Sequence, residues 1–343
     1  MSDKQYTEDI KPGLFEPAKM DLEATEKISK PSLSYWQDAW LVLRKNKAAV
    51  FSAFILILVT LLAAFAPLLS SKEYDAQNIS HASLPPKVQA LENISFLGFD
   101  GTKTDNGVTT DVYEQKGVDT YYWFGTDSLG RDLWTRVWMG TRVSLYIAFL
   151  AALIDMVIGV AYGGISGYYG GRVDNLMQRF IEILTGIPNL VIVILMILVL
   201  KPGILSITIA IALTGWISMS RVVRGQFLKY KNMEFVLASK TLGLEDRKII
   251  SKHLIPNVSG VIIINTMFSI PSAIFFEAFL SFIGLGLQEP NTSLGVLVED
   301  GYKSMQIHPH ILLFPAIVIS IIMICFNLLA DGFRDAFDPK MRD

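Results

Sequence analysis

Charge is scarce in this sequence. Asp, Glu, Lys and Arg make up 18% of its 343 residues, and hydrophobic residues make up 51%, whereas a soluble domain is about a quarter charged. The shortage points to an integral membrane protein. The charges that remain nearly cancel, at a formal net of −2, and the basic ones cluster in loops rather than on one face, which gives no ground for a nucleic-acid partner. Cysteine is almost absent: Cys325 stands alone in an apolar segment, so an intrachain disulfide and a cysteine metal site are both excluded. The four histidines, His81, His253, His308 and His310, form no HExxH site, and His308 and His310 read as a solvated loop pair rather than metal ligands. No GxxxxGK[ST] loop occurs; the glycines of Gly284-Leu-Gly286 lack its lysine and spacing. Neither a catalytic residue nor a metal or nucleotide site is therefore expected in this chain. Residues 1–32 lack the apolar core of a secretory signal.

What the sequence does have is apolar runs. The stretch 48–69 contains no charge over 22 residues, enough to cross about 30 Å of hydrocarbon. Further spans are expected at 143–166, 180–200, 202–220, 258–287 and 311–330, making six. The resulting organisation is a disordered cytoplasmic tail over 1–33, then an interfacial helix and first span over 34–69. An extracellular loop or small domain follows over 70–123, with four Lys against eight Asp and Glu. An interfacial helix over 124–142 leads into a helical core over 143–331, and a cytoplasmic tail closes the chain over 332–343. The basic loops put both termini inside.

Between the fourth and fifth spans lies a hydrophilic island, 221–257, with eight Lys and Arg against three Asp and Glu. That excess places it on the cytoplasmic side. Phe235, Ala238 and Leu242 fall on one helical stripe, and Gly243 sits where a left-handed stop is expected. Asp246 is placed to cap a second helical segment that runs to Pro256. Such a stripe suits either the lipid surface or a partner groove.

Three carboxylates fall inside or at the edge of spans: Asp155, Glu182 and Glu277. A charge in hydrocarbon costs at least about 2.5 to 3.5 kcal/mol on insertion scales, so each needs a partner or a water-filled path. Glu182 lies a turn from Arg179 and is expected to pair with it. For Asp155 and Glu277, structural pairing and a role lining a path are equally compatible with the pattern. Pro188 and Pro271 fall within spans, where helices bend.

Glu234…Ala238-Ser239…Gly243…Pro256 resembles the EAA loop of ABC-importer permeases, with Ser239 standing where a second alanine is usual. Phe124-Gly-Thr-Asp-Ser-Leu-Gly-Arg-Asp132, Gly170-Gly-Arg-Val-Asp174, Glu277-Ala-Phe-Leu-Ser-Phe-Ile-Gly-Leu-Gly286 and Asp331-Gly-Phe-Arg-Asp-Ala-Phe-Asp-Pro339 resemble the C-type permease subunit of oligopeptide and dipeptide ABC importers. This resemblance implies an all-α type I importer permease fold with an insertion between helices 1 and 2. It implies that Glu234, Phe235, Ala238, Ser239, Leu242, Gly243 and Pro256 couple to an ATPase. It also implies a bacterial cell membrane, a heterodimer with a B-type permease, two ATPase subunits carrying ATP and Mg, an extracellular or periplasmic peptide-binding protein, and a peptide cargo. Other cargoes within the same family are dipeptides, nickel and glutathione. A proton-driven secondary transporter working through Asp155 and Glu277 is the rival from another class, although no internal repeat is evident. A membrane-anchored scaffold displaying the outer loop is the third.

Overall fold

The computed structural model describes residues 34–70, 72–92, 98–105 and 107–337. The expected tail over 1–33 and the last six residues of the expected tail over 332–343 lie outside them. Ala39–Asp343 forms one compact unit, and of the other, Met1–Asp38, only residues 34–38 are described.

Among the described residues five helices are long and apolar enough to cross a membrane, and a bent pair makes a sixth span if taken together. In order the helices are α1 (Tyr35–Lys45), α2 (Lys47–Leu69), the short α3 (Val112–Lys116), α4 (Leu133–Tyr169), α5 (Gly171–Thr185), α6 (Asn189–Leu200), α7 (Ile204–Tyr230), α8 (Glu234–Thr241), α9 (Asp246–Ile249), α10 (Ile255–Leu280), α11 (Leu294–Ser304) and α12 (His310–Phe337). The main core lies where α2, α4, α7, α10 and α12 meet, around Ile147, Ile207, Ile274 and Ile322.

Several boundaries differ from the sequence expectation, each for a local reason. The interfacial helix expected over 124–142 does not exist separately. Residues 124–132 form a turn, Asp132 caps the next helix by accepting from Thr135 N at 2.9 Å, and α4 then runs unbroken for 37 residues. In that turn Asp127 pairs with Arg131 at 2.6 Å, and Arg136, four residues after Asp132, turns to Asp127 at 3.3 Å. Asp132 is already occupied as the cap.

The expected third span is two helices bent by 80°. Pro188 has no N–H to donate and disfavours helical backbone at Ile187, so α5 stops at Thr185 and α6 restarts at Asn189. The fourth span continues ten residues into the basic island, because Val223 and Phe227 keep the buried phase of Trp216 and Ser220. Pro256 does not end a helix. A π-helical turn, Ile250–Leu254, precedes it, Ile255 N bonds back to Ile250 O, and Pro256 sits in the first turn of α10, where its missing N–H costs little. Pro271 lies buried inside α10, which is unbroken there.

At the other end of the chain the expected tail from residue 332 is helix as far as Phe337. Gly332, Ala336 and Phe337 pack beside Leu43 and Ala49, and Asn46 donates to Asp335 at 3.3 Å. The described residues of 70–123 fold around a small core of their own. Their antiparallel hairpin, β1 (Thr102–Asp105) and β2 (Val108–Asp111), pairs Thr102 with Asp111, and the core gathers Leu84, Tyr113, Val118 and Tyr122. Asp111 caps α3 through Tyr113 N and Glu114 N. Burial pushes its carboxyl up, but the Glu114 N–H, the Lys87 ammonium and the Tyr113 N–H outweigh that and hold it below the usual carboxylate range.

Candidate functional site

Two features stand apart from the packed core: α8 at the basic end, and a cleft among α4, α5, α6, α7 and α10. The inward face of α8 carries Val236, fully buried, and Ser239, whose hydroxyl is satisfied by Phe235 O at 2.8 Å. Phe235, Ala238 and Leu242 point outward, Leu242 with 80% of its surface exposed. The stripe read from the sequence as apolar therefore has no cover among the described residues. Glu234 lies exposed in the first turn, where a negative charge suits the helix N-terminus.

Gly243 ends α8 at φ +78°. Its N–H reaches Lys240 O at 2.9 Å, and Leu244 N reaches Ser239 O at 3.1 Å, the paired bonds of a Schellman stop. Leu244 then packs into a cluster with Val236, Ile249 and Leu254. Asp246 does not cap α9, where Glu245 holds the N-cap position; it accepts a 2.5 Å bond from the Tyr168 hydroxyl instead.

That bond is one of several tying α8 and its neighbours to the end of α4. Lys240 Nζ sits 4.8 Å over the Tyr168 ring, and Lys231 Nζ donates to Gly167 O at 2.9 Å. Arg224 grips Asp174 with two bonds of 2.6 Å, while Ser166 donates to the same carboxylate at 2.5 Å. Beneath these contacts runs a seam of small residues. A Cβ on Gly159 would meet Trp216 O at 2.9 Å, one on Gly163 Ser220 O at 2.3 Å, and one on Gly167 Arg224 O at 2.8 Å. Glycine at every fourth position brings α4 and α7 into backbone contact over about two turns. The spacing of 159, 163 and 167 is visible in the sequence; its register against 216, 220 and 224 is not. Tyr168, Asp174, Arg224, Lys231 and Lys240 were missed by sequence reasoning, since each acts through a partner remote in the chain.

The cleft has a volume of 710 Å³. Pro188 and Asn189 line it at the break between α5 and α6, where Thr214 donates to Asn189 at 2.5 Å, and Asn265, Ser269 and Ser272 line it from α10. Asp155 borders it, 6% exposed, with Oδ1 enclosed and accepting no hydrogen bond. Gly215 lies against this carboxylate so closely that a Cβ there would fall 2.3 Å from it.

The structure separates the three carboxylates. Glu182 is exposed and pairs with Arg179 at 2.7 Å, outside the core. Glu277 is wholly buried and accepts from Ser144 at 2.9 Å, Ser281 at 3.1 Å and Ser293 at 2.6 Å. Ser144 also accepts from Leu294 N, and Ser293 caps α11, so Glu277 clasps α4, α10 and α11 together away from the cleft. Among the described residues no group of three or more His, Cys, Asp and Glu is placed to hold a metal ion. His310 instead faces Thr126 O at 3.3 Å.

Residues 159–343 match the family model described as the binding-protein-dependent transport system inner membrane component. Residues 34–86 match that described as the N-terminal transmembrane domain of oligopeptide transport permease C. The chain is 42% identical over 335 residues to the oligopeptide transport system permease protein OppC of Bacillus subtilis (strain 168), covering 98% of this chain and 99% of that one. It is 44% identical to the dipeptide transport system permease protein DppC of the same strain, covering 92% and 89%. It is 48% identical to the dipeptide transport system permease protein DppC of Lactococcus lactis subsp. cremoris (strain MG1363), covering 93% and 94%.

Proposed function

Because the chain belongs to the inner-membrane components of binding-protein-dependent transport systems, a multi-pass permease family with the peptide permeases OppC and DppC among its members, we propose that it forms half of the peptide path of an ATP-driven importer. The observation that carries this reading is the stripe of Phe235, Ala238 and Leu242, uncovered among the described residues, on a helix whose buried Val236 shares a cluster with Tyr168 of α4 and whose flanking Lys231 and Asp246 are bonded to the end of α4. In this reading the basic end and both termini face the cytoplasm of a bacterial cell. Two ATPase subunits, holding ATP and Mg, receive α8. A B-type permease completes the path, and an extracellular or periplasmic binding protein delivers oligopeptides from the other side.

The chain's own part is mechanical. Closure of the ATPases displaces α8, and the Tyr168, Lys231 and Arg224 contacts pass that displacement to α4 and α7 as one body. The break at Pro188 lets α5 and α6 change their angle while the core stays packed. Hydroxyl and amide groups along the cleft offer a cargo backbone hydrogen bonds that depend little on its side chains. Dipeptides fit the same cleft and the same relatives. The proton-driven reading needs Asp155 and Glu277 on one water path, and Glu277 is sealed behind three hydroxyl donors.

Co-purification in detergent tests the proposal. The ATPase subunits are expected to accompany the wild-type chain and to be lost when Phe235 and Leu242 are both changed to Asp, with membrane insertion retained. Retention of the ATPases by that variant, together with normal uptake of labelled peptide, overturns it. Uptake of labelled nickel in place of peptide assigns the cargo elsewhere in the family.

A further inference from the structure

Asp155 and Arg221 are the charged residues among those lining the cleft. Asp155 lies near the middle of α4 and is 6% exposed, and among the described residues neither a hydrogen bond nor a cation engages it. A carboxylate so placed needs an opposite charge or a water-filled path, and intramembrane carboxylates of this kind mark substrate and ion pathways. The chain makes room for it rather than excluding it, since Gly215 omits the side chain that would collide with its oxygens. Arg221, exposed and on the same helix as Gly215, lies six residues farther on, about 9 Å along the axis. An extended tripeptide is about 10 Å long. The same lining offers Thr214 and Ser218 from α7 and Asn265 and Ser269 from α10.

We propose that Asp155 is the counter-charge for the α-ammonium of a peptide crossing this cleft, with Arg221 receiving the carboxylate end. The proposal rests on the peptide-import reading and names where within the path the cargo's termini are held. Asp155 is thus a binding residue of the permease itself, distinct from recognition by the soluble binding protein.

The complete transporter, reconstituted in ATP-loaded vesicles with its binding protein, tests this. Uptake of a free-amino tripeptide and of its N-acetylated form is compared in wild type, Asp155→Asn and Asp155→Ser. The same binding protein serves every variant, so its own preference cancels when the two ratios are divided. Both variants are expected to lower free-amino uptake about tenfold relative to acetylated uptake, the loss of one charge-assisted hydrogen bond. An unchanged ratio overturns the proposal, and so does an equal fall for both peptides, which would mark Asp155 as structural. An N-acetylated peptide bearing lysine separates the two sources of a primary ammonium: unchanged uptake supports the terminus, and a matching loss overturns that assignment. Arg221→Gln is expected to erase any preference for a free over an amidated C-terminus, and a retained preference removes the carboxylate half. A wild-type assembly that moves no peptide at all removes the import reading itself.

Discussion

Replacing Gly243 separates backbone strain from bulk at the end of α8. Gly243 has φ +78°, and a Cβ built on it meets nothing within 4 Å, so size alone meets no obstacle among the described residues. The cost is conformational. An ordinary L residue pays about 1 to 2 kcal/mol to hold the left-handed region, Asn pays less, and a β-branched residue pays more. If the backbone relaxes instead, the bonds Gly243 N to Lys240 O and Leu244 N to Ser239 O are lost, at about 0.5 to 1.5 kcal/mol each. Leu244 then leaves its place beside Val236 and Ile249. Gly243→Ala should therefore reduce the population of correctly docked α8 about 5- to 30-fold, Gly243→Asn less, and Gly243→Val most. Peptide uptake per ATP hydrolysed, measured in vesicles for the three variants, should fall in the order Asn, Ala, Val. Asn is larger than Ala, so steric blocking of an ATPase groove predicts Asn to be worse than Ala. That order would refute the reasoning from backbone strain.

Three further outcomes follow from contacts already described. Glu277→Leu leaves the Ser144, Ser281 and Ser293 hydroxyls without their shared acceptor and should lower the melting temperature in detergent, at about 1 to 3 kcal/mol for each buried group left unpaired; Glu277→Gln, which keeps an acceptor oxygen, should lie between Leu and wild type. Tyr168→Phe deletes the bond to Asp246 while keeping the ring under Lys240, so uptake per ATP should fall severalfold with ATPase binding intact by co-purification; full uptake would show that the bond transmits nothing. Asp111, its carboxyl depressed in the folded segment, stabilises that segment above its ordinary value of 3.8 and ceases to as pH falls through the lower folded value. Protease clipping of 70–123 should therefore rise in that acid window for wild type, and Asp111→Asn should lose that step.

How much was legible depended on the range over which each interaction acts. The apolar runs and Gly243 speak through local physics, so the long helices and the stop of α8 could be read directly. The inward face of α8 could not. Residues 235 to 238 are all apolar, and the choice of Val236 over Phe235 is made by Ile249 and Leu254 arriving from the next segment. Pro188 announced a bend but not an 80° break, because the restraint on Ile187 acts together with Gly186 and Thr185 at a helix end. Asp155 and Glu277 look alike in sequence, each a lone carboxylate in an apolar run. Only the serines of α4, α10 and α11 show that one is enclosed by donors while the other borders open space.

The unbroken length of α4 bears on mechanical advantage. At 37 residues it is about 55 Å from end to end, and the glycine seam with α7 lies in its last third, near the end where Tyr168 meets Asp246. A tilt of the joined α4 and α7 by only 5° about the level of that seam would swing the far tip of α4 by roughly 4 Å. In the proposed importer, a small stroke delivered near Tyr168 would thus be amplified at the opposite end of α4, with α7 carried along by the seam.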